Sequence, residues 1–224
     1  MPDEFGQERN PRRGRNMSPI AAGAILLVLV VGGFLAWKAI SNSAPAEEPA
    51  PAPVEQAPVV TDERGEFAST TMGISIKYPQ GYTVDDKFAN TSVSPTKPIL
   101  GVKFTIPAQV ATGTNLSADS FISVEQLPRA NACTGDIFLA ANVKAVPVTD
   151  GAVSYSVATS SDAGAGNRYD EYVFALTGSK PCTAVRYHIH STAIGNYPEG
   201  TVREFNMPAL LGEFDSIRQS LVKQ

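Results

Sequence analysis

The stretch "CTAVRYHIHS" (182–191) gathers Cys182, Arg186 and the chain's only two histidines, His188 and His190. Alternate residues of a strand project to the same side, so both imidazoles would share one face. That spacing suits two ligands of a metal ion, with Glu171 from a neighbouring strand as the obvious third. It equally suits a polar sheet face on which Glu171 falls opposite His188 and Arg186 lies on the diagonal. A thiolate site would need Cys133, Cys182, His188 and His190 to converge, with no C-x-x-C spacing to begin it. Ser156 beside His188 and Glu171 supplies the residue types of a hydrolytic triad. No G-x-S-x-G or H-E-x-x-H motif fixes such a geometry, and no glycine-rich phosphate loop or calcium-loop pattern is present. "GAG" (164–166) falls inside a hairpin rather than between a strand and a helix, so it is no dinucleotide fingerprint. We therefore read a solvated polar face, with no metal, cofactor or catalytic residue. A second candidate is the loop "NYPEGTVREF" (196–205), where Tyr197 and Arg203 are residue types favoured at binding surfaces.

The elements that must position these groups are short and alternating. "AVSYSVAT" (152–159), "RYDEYVFAL" (168–176) and "TAVRYHIH" (183–190) read as a three-strand meander joined by turn-rich "SSDAGAGN" and "TGSKPC". Keeping apolar side chains on one face sets Phe174 against Val185 and Tyr172 against Tyr187. The same rule sets Phe174 against Val153 and Tyr155 against Tyr172, which would line up three tyrosines. Further strands are expected at "GISIKY" (73–78), "LGVKFTI" (100–106) and "DSFISVEQL" (119–127). "TGDIFLAA" (134–141) reads as a short helix capped by Thr134, with Asp136 complementing the dipole. "MPALLGEFDSIRQSLVK" (207–223) repeats Leu210, Phe214, Ile217 and Leu221 at helical spacing, with Pro208 in its first turn.

The chain divides by composition into a tail (1–18), an apolar segment (19–40), a linker (41–66) and a domain (67–224). "PIAAGAILLVLVVGGFLAW" (19–37) carries no charge and would span roughly 28 Å as a helix, close to a hydrocarbon core of about 30 Å. It is too long for the hydrophobic region of a cleavable signal. Four arginines, Arg9, Arg12, Arg13 and Arg15, precede it and predict a cytoplasmic N-terminus, so all that follows would be exported. The tract "SAPAEEPAPAPVEQAPVV" (43–60) favours the extended polyproline conformation and could hold a domain roughly 50 Å from the bilayer. Cys133 and Cys182 then lie in an oxidising compartment, and we expect them to form a disulfide. The net charge of −4, with acids in excess beyond residue 40, gives no footprint for nucleic acid.

Residues 67–84, "FASTTMGISIKYPQGYTV", resemble the opening of PsbP-like domains in their aromatic start, their glycine before an alternating strand and their Tyr-Pro-x-Gly-aromatic turn. The closing amphipathic helix fits as well. The resemblance implies an α+β fold, an antiparallel sheet with helices packed on it, and brings no shared catalytic residues. The expectation is a single-pass, membrane-anchored binding or envelope-assembly module outside the cytoplasm, not an enzyme, whose partner is an envelope protein or a small ligand. The alternative is a membrane-tethered metal-dependent or hydrolytic enzyme using Glu171, His188 and His190.

Overall fold

The computed structural model describes residues 64–224. The tail, the apolar segment expected as a transmembrane helix and residues 41–63 of the linker lie outside the described residues; residues 64–66, expected as the end of the linker, instead open the first strand of the domain. Among the described residues no helix is long and apolar enough to cross a membrane. Two antiparallel sheets carry the architecture. The smaller joins β1 (Arg64–Ser69), β2 (Ile74–Pro79) and β10 (Val222–Lys223). The larger contains β3 (Thr83–Asn90), β4 (Ile99–Thr105), β5 (Phe121–Leu127), β6 (Val146–Asp150), β7 (Val153–Gly164), β8 (Asn167–Leu176) and β9 (Cys182–Thr192). Its spatial order is β3-β4-β5-β9-β8-β7-β6. A one-turn helix α1 (Ala108–Ala111) follows β4, and the long helix α2 (Met207–Gln219) precedes β10.

Period-two alternation gives the large sheet two buried faces. One face presents Val102, Phe104, Ile122, Val124, Val185, Tyr187 and Ile189 to Ile74 and Ile76 of β2 and to Leu210, Phe214 and Ile217 of α2. The other face carries a second cluster: Ile99, Val173, Ala175, Cys182 and Ala184 beneath Phe138 and Leu139. Helix α2 starts where expected: the Asn206 side chain accepts a hydrogen bond from the Ala209 amide at 3.0 Å, and Pro208 occupies the first turn. It ends four residues short of the expected 223, because Val222 and Lys223 pair with β2 instead. Leu221 still packs on the first cluster from outside the helix.

The expected helix over 134–141 is a single 3-10 turn, Gly135–Phe138, with Thr134 before it and Asp136 inside it. Backbone contact explains the brevity. A Cβ on Gly135 would lie 2.7 Å from the Ala158 amide and 2.8 Å from the Ser156 carbonyl, so the turn sits directly on the sheet and cannot extend across it. The second face is therefore covered by an irregular segment rather than by a packed helix. Cys133 and Cys182 form the expected disulfide, which fixes that segment to the start of β9.

The β8–β9 register is as expected, with Phe174 opposite Val185 and Tyr172 opposite Tyr187. The β7–β8 register differs by four residues: Val157, not Val153, faces Phe174, and Tyr155 faces Leu176. Residues 160–164, read as loop, continue β7, and Ala165-Gly166 alone make the turn, both at positive φ (51° and 79°). Such two-residue turns match the strand twist and dictate the pairing on either side. A shift of four keeps every side chain on its face, so the apolar pattern could not detect it. Tyr155 consequently leaves the tyrosine row and meets Phe174 edge to face, with ring centroids 6.0 Å apart.

Candidate functional site

Glu171, Arg186 and His188 meet on the second face, on the neighbouring strands β8 and β9, with Glu171 directly opposite His188. His188 Nδ1 lies 2.6 Å from Glu171 Oε1, and Arg186 Nη1 donates to Glu171 Oε2 at 2.7 Å. This face is closed, not solvated as its polar residues predict: the Arg186 side chain is only 2% exposed and His188 only 20%. What makes the burial tolerable is a second carboxylate, from β5. Glu125 on β5, fully buried, faces this cluster and accepts from Arg186 Nε at 2.7 Å and from Nη2 at 3.2 Å. The Arg186 Nη2 group also donates to the Phe138 carbonyl, tying the covering segment to the sheet. Ser123 and Asn90 complete the shell of Glu125, donating at 2.9 Å and 3.2 Å.

Two carboxylates thus hold one guanidinium away from water. Burial works against the charge of Arg186, but Glu125 and Glu171 outweigh it and raise its pKa, so the guanidinium stays protonated. Burial alone would raise the Glu171 carboxyl. The His188 hydrogen bond and the Arg186 charge overcome that and hold it below its ordinary range. A carboxylate cannot donate, so the Nδ1 atom of His188 carries the hydrogen. Its Nε2 has no hydrogen-bond partner among the described residues. Phe121 stacks on the ring at 4.7 Å between centroids, which fixes its plane.

His190 is two residues further along β9 but belongs to a different set of partners. Its Nδ1 lies 2.8 Å from Asp119 and its Nε2 3.0 Å from the Asn167 side-chain oxygen, while Tyr169 stacks on the ring at 4.4 Å. Burial would raise the Asp119 carboxyl, but bonds from Ser117 and His190 hold it below its ordinary range. With both nitrogens engaged, His190 does not converge on His188. Among the described residues no cluster of three or more His, Cys, Asp or Glu side chains could hold a metal ion. Tyr197 and Arg203 lie in the loop before α2, and neither bonds to this network among the described residues. Arg203 instead pairs through its backbone with Gly113 and Asn115. Ser156 lies opposite Ala175, four residues or about 13 Å along the strand from Glu171, and is no triad member.

The network opens on a cavity of about 420 Å3 with Glu171 and Arg186 in its wall. Ser92, Ser160, Ser161 and Asp162 supply further polar groups around it. A concave space with few fixed polar groups is the usual form of a small-ligand site. Glu125 and Asn90 carry no sign of this role in the sequence, where an acid or an amide on a strand reads equally well as facing solvent. The chain register that brings them together was not written in either strand alone.

No protein-family model matches the chain, and no curated protein matches it. Among solved structures it is similar to a crystal structure from Bacteroides thetaiotaomicron VPI-5482, at 12% identity and a TM-score of 0.41. That similarity covers 71% of this chain and 48% of the other, so the chain spans about half of that structure's length. It is also similar to the solution structure of cyanobacterial PsbP (CyanoP) from Synechocystis sp. PCC 6803, at 12% identity and a TM-score of 0.31, over 75% of this chain and 96% of the other. Neither likeness bears on what this chain binds.

Proposed function

We propose that the protein is a single-pass, N-in membrane protein that displays one disulfide-closed α+β sandwich outside the cytoplasm as a binding or envelope-assembly module. The observation that carries this reading is the Cys133–Cys182 bond. Disulfides persist on the oxidising side of a membrane, and this one follows an uncharged segment long enough to span a bilayer, with arginines on its N-terminal side. The polar cavity over Glu171 and Arg186 is the binding site of the module. It takes a small hydrogen-bonding ligand or a polar side chain of an envelope partner. Protease added outside bacterial spheroplasts that express the chain is expected to digest residues 67–224. Digestion of those residues only from the cytoplasmic side would overturn the reading.

One observation favours a second reading, a hydrolytic enzyme in which His188 is the general base. Glu171 orients His188 as a carboxylate orients a catalytic imidazole, leaving Nε2 unpartnered among the described residues. Assay of the purified protein against ester and peptide substrates beside a His188→Ala variant separates the two. Hydrolysis that His188→Ala abolishes at unchanged stability supports the enzyme; no hydrolysis by either protein supports the binding module.

A further inference from the structure

A second concavity, of about 840 Å3, lies on the same side of the domain but apart from the polar cavity. Pro98, Leu127, Pro128 and Ile137 are among the residues that line it, and Lys97 and Arg129 supply its charged groups. No carboxylate lines it, and neither cation makes an ion pair among the described residues. Leu127 and Ile137 also pack against the second apolar cluster, so the groove continues that cluster toward solvent. Its position is fixed, because Cys133 anchors the segment that forms its wall. An apolar trough of this volume is within the range of small-molecule sites. Two unpaired cations beside an apolar trough complement one kind of molecule, an amphiphile with an apolar tail and an anionic head.

We propose that this groove binds a carboxylate-headed acyl chain, with the tail against Leu127, Pro128 and Ile137 and the head between Lys97 and Arg129. The site goes beyond the polar cavity of the proposed function, shares none of its residues and stands or falls without it. Both cations are exposed, so their removal leaves the core intact. The described domain has its own two-cluster core and its own disulfide, so Val60–Gln224 serves as the protein for the test.

The probe is laurate, titrated calorimetrically below its micelle concentration beside dodecyltrimethylammonium, which has the same tail and the opposite charge. Laurate is expected to bind one to one and the cationic amphiphile not to bind. Lys97→Gln with Arg129→Gln should weaken laurate about tenfold, the scale of two exposed ion contacts, at an unchanged unfolding midpoint. Ile137→Asp should abolish binding, with circular dichroism checking that the fold survives. Equal binding of both amphiphiles, or laurate binding indifferent to the loss of both cations, would overturn the proposal. So would a doubling of mass in sedimentation or preferential binding of a poly-glutamate peptide, which would assign the groove to a second copy or to an acidic segment.

Discussion

At the scale of single residues, the unusual group is Arg186, a guanidinium buried between two acids on three adjacent strands. Removing one member of a buried ion pair leaves an uncompensated charge, whereas replacing the pair by apolar groups removes the desolvation penalty as well. Arg186→Met is therefore expected to cost about 3–5 kcal/mol in urea unfolding, with Glu125 left buried and without its cation. Glu125→Leu combined with Arg186→Met should recover most of that loss; a double variant as unstable as the single would show that the guanidinium acts through packing and its bond to the Phe138 carbonyl. Glu171 gives the pH dependence. Burial would raise its carboxyl, but His188 and Arg186 depress it below the unfolded value, so its stabilisation is complete above the unfolded value and is lost as pH falls through the folded one. The acid limb of the stability curve, below about pH 4, should be shallower in Glu171→Gln, as thermal unfolding across pH would read. The Glu171–His188–Arg186 contacts were legible in the sequence because a single register choice places them together. Glu125 was not, because one acid in an otherwise apolar strand pattern gives no sign of whether it faces water or a buried cation.

At the scale of elements, the β7–β8 hairpin shows where sequence patterns stop informing. Face alternation set β8 against β9 correctly, since Tyr172 and Tyr187 have no equally good partners nearby. It could not choose between Val153 and Val157 as the partner of Phe174, because both lie on the same face. The turn made that choice, and its signal was obscured: Ala165, not glycine or asparagine, holds the first positive-φ position, at 51°. An L-residue there is strained by about 1–2 kcal/mol. Glycine relieves the strain while loosening the unfolded chain by about 0.4–1 kcal/mol. Ala165→Gly should therefore stabilise by about 0.5–1 kcal/mol net, and Ala165→Val should destabilise, both by denaturant midpoint. A neutral glycine variant would mean that the turn is held by Asn196, whose side-chain amide donates to the Gly166 carbonyl at 3.2 Å, and not by its own backbone.

At the scale of the whole domain, the two faces of the large sheet are secured by different means. The first is covered by regular elements, α2 and the small sheet, whose apolar stripes interlock with it and need no covalent help. The second is covered by residues 128–145, where the single 3-10 turn offers few backbone hydrogen bonds of its own. What holds that cover is the disulfide, the Arg186 bond to Phe138 and the close backbone approach at Gly135. The link from Cys133 to Cys182 closes a 49-residue separation, worth about 4 kcal/mol as lost entropy of the unfolded chain. Cys133→Ser with Cys182→Ser is expected to lose roughly that amount in denaturant unfolding, and the loss should be uneven. Amide hydrogen exchange should rise first across 128–145 and the edge of the second cluster, while β2, β4, β5 and α2 keep their protection. Equal loss on both faces would make the domain one cooperative unit. It would also remove the physical reason for placing a bond between these two cysteines, which is to fasten the one cover that its own secondary structure cannot hold.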